Sequence, residues 1–338
     1  MFVDLLLKLK NYFKGITHPF IKNGVKKIAM PFFVMKRIRE WKGIPDVVLI
    51  ENTNHCNAKC IMCPHSKMKR NKGTMSLELY KHIIDACIVL GIQRIQITGV
   101  GETLLDPLLF ERIRYAKKAG IQEVNIFSNA SLLTPQKQEM LLTSGVDLVF
   151  LSVDGFDPKS YEDIRRGLSF EDVKENVLSF LRKKKAGGNK KPFIVVGGLR
   201  VKNNMSAYLK SDFYKEVSKL SDSVWVGEEE NMHDWSGNVG EIRFSRVPWY
   251  NQPCRRLWNT LSILWDGKVS LCCIDYEGTV NLGNIEKQSI MEIWNSREIK
   301  ELRNYHLNAN FEKIDLCKNC FERPSWIPKR IERILDGF

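Results

Sequence analysis

From Val47 to about Val226 the chain alternates short apolar runs with longer amphipathic stretches, and this alternation admits few folds. The runs Val47–Ile50, Arg94–Thr98, Glu123–Ser128, Asp147–Val153, Phe193–Arg200 and Ser223–Val226 read as strands. Between them, Ser76–Leu90, Pro107–Ala119, Pro135–Ser144, Phe170–Lys185 and Ser206–Leu220 carry helical patterns. Thr134-Pro135 and Ser169-Phe170 have the form of helix N-caps, in which a hydroxyl accepts from first-turn N–H groups. Gly91, Gly120 and Gly145 each stop a helix just before the next strand. Strands alternating with helices predict a parallel sheet with right-handed crossovers, hence an α/β fold. Ligand groups then belong at the C-terminal ends of the strands. The 338 residues leave room for two domains with their own cores.

Directly after the first strand run, Cys56, Cys60 and Cys63 form a C-x₃-C-x₂-C run. Three thiolates this close in sequence can wrap one corner of a small metal cluster and leave one metal without a protein ligand, where four cysteines is the usual count. An open iron can hold a substrate or a cofactor. The plainer alternatives are a zinc knuckle or three reduced core thiols. A structural zinc site wants four ligands at finger-type spacing, but His55 and His65 flank the run and leave a mixed Cys/His site open. A second signal follows the second strand run: Thr98-Gly99-Val100-Gly101-Glu102-Thr103-Leu104-Leu105-Asp106-Pro107. Taken alone it is a tight turn permitted by two glycines, without the full dinucleotide-binding pattern.

Together these segments resemble the radical S-adenosylmethionine (SAM) enzymes. Cys56-Asn57-Ala58-Lys59-Cys60-Ile61-Met62-Cys63 is similar to that family's signature, with Met62 where many members carry an aromatic residue. The resemblance implies that Cys56, Cys60 and Cys63 hold a [4Fe–4S] cluster whose open iron is chelated by SAM. It implies a partial (β/α)₆ barrel, and it places the SAM ammonium against Gly101 and Glu102. A cation there requires an acceptor carrying negative charge. Ser128-Asn129 and Ser152-Val153-Asp154-Gly155, at the ends of the third and fourth strand runs, resemble segments that line the SAM site, with Ala130 where the family often has glycine. Asn129, Ser152 and Asp154 are therefore cofactor-contact candidates. Arg165, in Ile164-Arg165-Arg166-Gly167, is a partner for the SAM carboxylate.

The last third of the chain adds Cys254, Cys272 and a C-x₂-C pair, Cys317 and Cys320. Between them Trp265-Asp266-Gly267-Lys268 reads as a hairpin, because Asp-Gly between apolar strands marks a tight turn. Four thiolates can hold a second cluster or a zinc ion. Cys254, Gly267 and Cys272 resemble the C-x₉₋₁₅-G-x₄-C element of the SPASM or twitch auxiliary domain. The resemblance implies one auxiliary [4Fe–4S] cluster on Cys254, Cys272, Cys317 and Cys320. Cys272 and Cys273 point to opposite faces as strand neighbours. Spacing favours Cys272 as the ligand, and Cys273 is either a small buried residue or a hydrogen donor to a substrate radical. Asp275 is a candidate base.

The formal charge of +13 is uneven, since residues 1–45 hold ten Lys/Arg against Asp4 and Glu40. This basic, amphipathic extension is too short in apolar run to span a bilayer. It suits either a helix packed on the core or contact with an anionic membrane surface. No nucleic-acid-binding motif accompanies the charge, so no nucleic-acid partner is expected. Nine cysteines without a secretory signal point to metal ligation in a reducing cytoplasm, with a peripheral position at the inner membrane surface as the variant.

The expected organisation is a basic extension over 1–45, a radical SAM core over 46–230 and an auxiliary iron–sulfur domain over 231–338. The expected activity is reductive cleavage of SAM and hydrogen abstraction from a small polar or carbohydrate-type substrate, with dehydrogenation or epimerisation favoured. A low-potential donor such as flavodoxin or ferredoxin would supply the electron. The alternatives are a peptide-modifying SPASM maturase, a zinc enzyme of another class, and a non-catalytic iron–sulfur scaffold or electron carrier.

Overall fold

The computed structural model describes residues 34–200, 209–228, 253–318 and 320. Eight strands form one sheet in the order β6-β5-β4-β3-β2-β1-β7-β8. Strands β1 (Val47–Ile50), β2 (Arg94–Ile97), β3 (Glu123–Ser128), β4 (Leu148–Ser152), β5 (Phe193–Arg200) and β6 (Ser223–Glu228) follow each other in space as in sequence, every pair parallel. Helices α1 (Leu77–Val89), α2 (Leu109–Ala119), α3 (Pro135–Thr143), α5 (Phe170–Ala186) and α6 (Asp212–Leu220) connect them. Six parallel strands with returning helices are the parallel sheet expected from the alternation and match the partial barrel that the resemblance implies.

Alternation within each strand sorts the two faces. Val48, Ile50, Ile95, Ile97, Val124, Ile126, Val149, Leu151, Ile194 and Val196 are buried in the main core. The other face carries Leu49, Gln96, Asn125, Phe127, Phe150 and Ser152 in alternate positions, and encloses the barrel interior. The capping signals act as their chemistry requires: the side chains of Thr134 and Ser169 accept from the backbone N–H of Lys137 and Asp172. Gly120 closes α2 in the left-handed region at φ 112°.

Helices Ile290–Trp294 and Arg297–Leu307 in the last third were not foreseen, nor was one helix of the core. Between β4 and α5 lies α4 (Pro158–Ile164), capped by the Asp157 carboxylate, which accepts from Ser160 N–H. At seven residues it is too short for periodicity to reveal. A second difference concerns the cysteine-rich third of the chain. Strand β7 (Thr260–Ile263) pairs in parallel with β1, and the Asp-Gly turn returns it antiparallel to β8 (Val269–Ser270). The hairpin was expected, but its membership of the core sheet was not, because two apolar runs so far apart in sequence carry no sign of their pairing. Of the basic extension, only residues 34–45 are described, with 34–39 helical. Trp41 from this stretch stacks on Arg303, which lies 4.7 Å from its ring and 4.6 Å from that of Trp294. The membrane-contact expectation falls mostly outside the described residues, as does the expected boundary at 230. No helix among the described residues is long and apolar enough to cross a membrane.

Candidate active site

The cysteine run hangs from the C-terminal end of β1, and three neighbouring loops fix it there. Lys59 N–H donates to the Arg166 carbonyl at 2.8 Å, and Ile61 N–H to the Ile164 carbonyl at 3.0 Å, tying the run to the exit of α4. The Asn54 side chain accepts from Gly73 N–H at 2.7 Å and donates to the Asn71 carbonyl at 2.9 Å. His65, one of the flanking histidines, lies with Nε2 at 2.9 Å from the Asn54 carbonyl oxygen and is occupied in this loop.

The turn after β2 nests under the run. A Cβ on Gly101 would stand 2.3 Å from the Thr53 carbonyl oxygen and 2.8 Å from that of His55, so only glycine fits. The next residue, Glu102, donates its N–H to the same His55 carbonyl at 2.8 Å. Its carboxylate is buried and accepts from Ser128 Oγ at 2.7 Å, Asn129 N–H at 2.7 Å and Leu104 N–H at 3.0 Å. Burial pushes its pKa up, and these three hydrogen bonds pull against that rise. Beyond it, Asp106 and Arg112 form a fully buried ion pair at 2.7 Å, joined by Asn52 Nδ2 at 3.0 Å from the carboxylate. This pair locks the end of β1 to the end of β2.

A cavity of about 550 Å³ opens at this edge of the sheet, and its walls bring together Cys56, Cys60, Cys63, Gly101, Glu102, Asn129, Ser152, Asp154 and Arg165. These are all the cofactor-contact candidates of the core. Arg165 donates to Asp154 and lies with Nη1 3.8 Å from Cys60 Sγ. Burial works against the Arg165 charge, but Asp154 and Cys60 outweigh it and hold the guanidinium above its usual range. The thiols themselves are pushed up by burial, Cys63 to about 12. Neutral thiols in this pocket need a cationic partner before they ionise. Asn129 is positioned through its amide, which donates to Asn57 Oδ1 at 3.0 Å and accepts from Ser131 N–H at 2.9 Å. Ala130 sits in the left-handed region at φ 63°, which explains why a glycine would suit this position.

Two groups at the cavity were not singled out from the sequence. Phe127 and Phe150 stack at 5.4 Å, and Trp225 lies 6.3 Å from Phe150, so an aromatic wall faces the thiols. Period-2 alternation along β3 and β4 would have placed both phenylalanines on the concave face. The second group is an ion pair without a local sequence signal. Glu51 takes two hydrogen bonds from Arg70, Nη1 at 2.8 Å and Nη2 in addition, and a third from Trp265 N–H at 3.2 Å. Arg70 also donates to the Tyr276 carbonyl, and Glu277 accepts from Lys69 and Arg70 N–H at 2.7 and 3.1 Å. The Glu51 side chain is 4% exposed and that of Arg70 13%.

The second cysteine group lies on the other side of β1. Cys254, Cys272, Cys317 and Cys320 line one small pocket with Arg256 and His306. Burial drives the Cys272 thiol well up, and Cys273 beside it adds to the rise, while Arg256 opposes it. Cys273 is absent from this pocket's walls and lines a different cavity instead, as opposite-facing neighbours must. The candidate base Asp275 is buried, and its carboxylate is engaged four times: by Leu271, Thr279 and Val280 N–H and by Thr279 Oγ1. Both oxygens serve to fold the loop after Cys273, and that is the role its geometry displays. Among the described residues, no three His, Cys, Asp or Glu gather as for a single metal ion.

Sequence comparison places this architecture among the radical SAM proteins: residues 50–198 match the radical SAM superfamily. Residues 254–321 match the SPASM iron–sulfur cluster-binding domain, so the chain carries a radical SAM domain followed by a SPASM domain. A [4Fe–4S] cluster and SAM accordingly belong to the core, and further iron–sulfur ligation to the C-terminal part. The two thiol groups, each at one pocket, fit those groups in number and donor type. Among known relatives, the tungsten-containing aldehyde ferredoxin oxidoreductase cofactor-modifying protein of Pyrococcus furiosus is 24% identical over 73% of this chain and 80% of its own length. A probable GTP 3′,8-cyclase of Methanococcus maripaludis is 33% identical over 37% of this chain, a match that spans 42% of the cyclase. Of solved structures, BtrN in complex with AdoMet and 2-DOIA superposes with a TM-score of 0.60 at 19% identity, over 84% of this chain and 96% of that one. SuiB of Streptococcus suis bound to its precursor peptide SuiA superposes at 0.65 with 13% identity, over 84% and 73%. These likenesses are of fold.

Proposed function

We propose that the chain is an enzyme that cleaves SAM reductively and removes a hydrogen atom from a small polar substrate, of carbohydrate type, in a dehydrogenation or an epimerisation. The observation that carries the reading is the single cavity shared by the three cluster thiols and Gly101, Glu102, Asn129, Ser152, Asp154 and Arg165. When bound, the cluster and SAM supply a 5′-deoxyadenosyl radical beside the substrate. The chain's own residues do the rest. Cys56, Cys60 and Cys63 hold three irons. Glu102, already fixed by three donors, offers its carboxylate to the SAM ammonium next to the Gly101 backbone. Arg165, steadied by Asp154, meets the SAM carboxylate, and Asn129 and Ser152 offer an amide and a hydroxyl to the ribose. The aromatic wall of Phe127, Phe150 and Trp225 keeps water from the reacting carbon. Cys254, Cys272, Cys317 and Cys320, which line one pocket, would hold the auxiliary cluster, and its chemistry there would be electron acceptance or ordering of the substrate pocket. A low-potential flavodoxin or ferredoxin is the proposed electron donor.

A small substrate is favoured because the concave face carries the buried polar side chains of Asn125 and Ser262 between the two ends of the sheet. The fold shared with SuiB in its peptide complex supports a peptide-modifying activity as the second reading. Anaerobic reconstitution followed by dithionite and SAM tests the proposal. The parent protein should form 5′-deoxyadenosine and the Cys56→Ala/Cys60→Ala/Cys63→Ala variant none. A parent protein carrying its full iron that forms no 5′-deoxyadenosine refutes it in favour of a scaffold or electron carrier.

A further inference from the structure

A second cavity of about 790 Å³ lies deeper on the concave face, towards the N-terminal ends of the strands. It reaches Gln96, while Thr98, two positions further on and one residue past the end of β2, lines the first cavity. Alternate residues of a strand share a face about 6.6 Å apart, so the two cavities are neighbours along one strand. The deeper cavity is cationic. Arg37, Lys42, Arg94, Arg255 and Arg256 line it against Glu40 and Asp46, a net charge of +3. Arg94 is paired with Glu123 at 2.7 Å and Arg37 stands 3.9 Å from Glu40, while the exposed Arg255 sits at the N-cap of the helical turn Arg256–Asn259.

Between this basic end and the SAM end runs a polar belt. Strand register sets Ser262 opposite Leu49, Leu49 opposite Gln96 and Gln96 opposite Asn125. Ser262 shares its face with Thr260, which lines the deeper cavity, and Asn125 shares its face with Phe127, which lines the first. Both Asn125 and Ser262 are 4% exposed, yet Asn125 Oδ1 and Ser262 Oγ have no hydrogen-bond partner among the described residues. Buried polar atoms left in this state are costly and uncommon. Two of them on one concave face, beside a cavity of net positive charge, are the complement of a polar, anionic molecule.

We propose that the deeper cavity is the anchoring subsite of the substrate, and that the substrate carries a phosphoryl group. The guanidinium groups of Arg94, Arg255 and Arg256 hold that group, whose oxygens match their planar donor pairs. With Glu123 paired to Arg94 the surplus is two charges; a carboxylate would neutralise one of them, whereas a phosphate dianion meets both. The uncharged end of the molecule then lies across Asn125, Gln96 and Ser262 and points towards the SAM cavity. Cys273 lines the same subsite while its neighbour Cys272 faces the auxiliary pocket, so the anchored substrate abuts the auxiliary-cluster loop. This rests on the enzyme reading above, whose substrate class it names.

The test uses the full chain, anaerobically reconstituted and supplied with SAM, titrated calorimetrically with pyrophosphate, glucose 1-phosphate and acetate. Saturable binding of either phosphoryl compound, weakened at least tenfold in Arg94→Gln/Arg255→Gln and absent for acetate, supports the proposal. Preference for pyrophosphate identifies a diphosphate substrate, preference for glucose 1-phosphate a monoester. Absence of saturable binding to the parent, equal binding of acetate, or unchanged binding by the double variant overturns it. Should the double variant fail to hold its iron, Arg255→Gln alone decides, a threefold or greater weakening supporting the subsite and unchanged binding overturning it. Phosphoryl binding without 5′-deoxyadenosine formation would remove the enzyme reading and leave the anion site; the converse would remove only the anion site.

Discussion

Arg70→Met isolates the joint between the cluster-bearing loop and the SPASM hairpin. Glu51 is the first residue after β1, and Arg70, Trp265 and Tyr276 converge on it or on its partner. A Cβ on Gly99 would stand 2.8 Å from Glu51 Cγ, so the same side chain also supports the turn that carries Glu102. Removing one member of a buried pair leaves the other charge uncompensated, at a cost of about 3–5 kcal/mol. Glu51 keeps the Trp265 N–H in the variant, which places the expected loss at the lower end, about 3 kcal/mol. At about 2–4 °C per kcal/mol for large domains, the anaerobic holo protein should melt about 6–12 °C lower. Glu51→Gln/Arg70→Met should recover about 1–3 kcal/mol of this, because a neutral amide has no stranded charge and still accepts from Trp265. Thermal unfolding followed by circular dichroism on the parent, both single variants and the double variant closes the cycle. An Arg70→Met protein within about 0.5 kcal/mol of the parent, or a double variant less stable than the two single losses summed, would refute the reasoning. The rate of 5′-deoxyadenosine formation should fall roughly tenfold or more in Arg70→Met, since displacement of a reacting group by an ångström is that costly.

Gly101→Ala should abolish measurable SAM binding in calorimetry, because its methyl group collides with two carbonyl oxygens. Glu102 has a pKa raised by burial, so between its unfolded and folded values the folded SAM-free protein binds more protons there than the unfolded chain does. Its stability should therefore decline as pH rises above the ordinary carboxylate range, while SAM affinity rises over the same window; Glu102→Gln should flatten both profiles in calorimetry and thermal melts. Cys272→Ser should lower the iron content from about eight to about four per chain, whereas Cys273→Ser should leave it near eight, as read by iron analysis. Ionising the buried thiols requires loss of protons, Cys63 from about 12, so reconstitution should fail progressively as pH falls; Arg165→Gln should move that iron-loading curve to higher pH.

The core was legible because its signals are local. A strand's apolar alternation, a hydroxyl N-cap and a glycine stop each lie within a few residues, and the strand limits Val47–Ile50, Glu123–Ser128 and Phe193–Arg200 coincide with those read from sequence. That the core candidates would share one cavity was legible for a second reason: in a parallel α/β sheet, polar residues at strand ends have one edge to occupy. What stayed hidden needs contacts between distant segments. Glu51 and Arg70 are nineteen residues apart and Arg70 and Tyr276 more than two hundred, and nothing in the spelling of either segment marks the pair. Asp275 shows the opposite case: an acidic residue beside two cysteines reads from sequence as a candidate base, and only the structure shows both of its oxygens accepting hydrogen bonds within the loop.

The pairing of β7 with β1 changes what the two cysteine groups mean to each other. Read by composition, they belong to separate units joined by a linker. In the sheet, β1 carries the first group at its C-terminal end and is bonded along its flank to β7, whose hairpin and following loop carry Cys272. The two sites are thus spaced by main-chain hydrogen bonds, with Val47 to Ile50 in register with Thr260 to Ile263, and not by the packing of one domain surface on another. Surface packing permits relative motion, whereas slipping a strand by one residue would turn its whole buried face outward. Leu261 and Ile263 are buried in the same core as Val48 and Ile50, so slippage is opposed on both strands. A fixed spacing of this kind is what electron transfer between two clusters, or a substrate held between them, requires. The Glu51–Arg70–Trp265 contacts fasten the same joint one residue beyond the strand, where the sheet's own hydrogen bonds end.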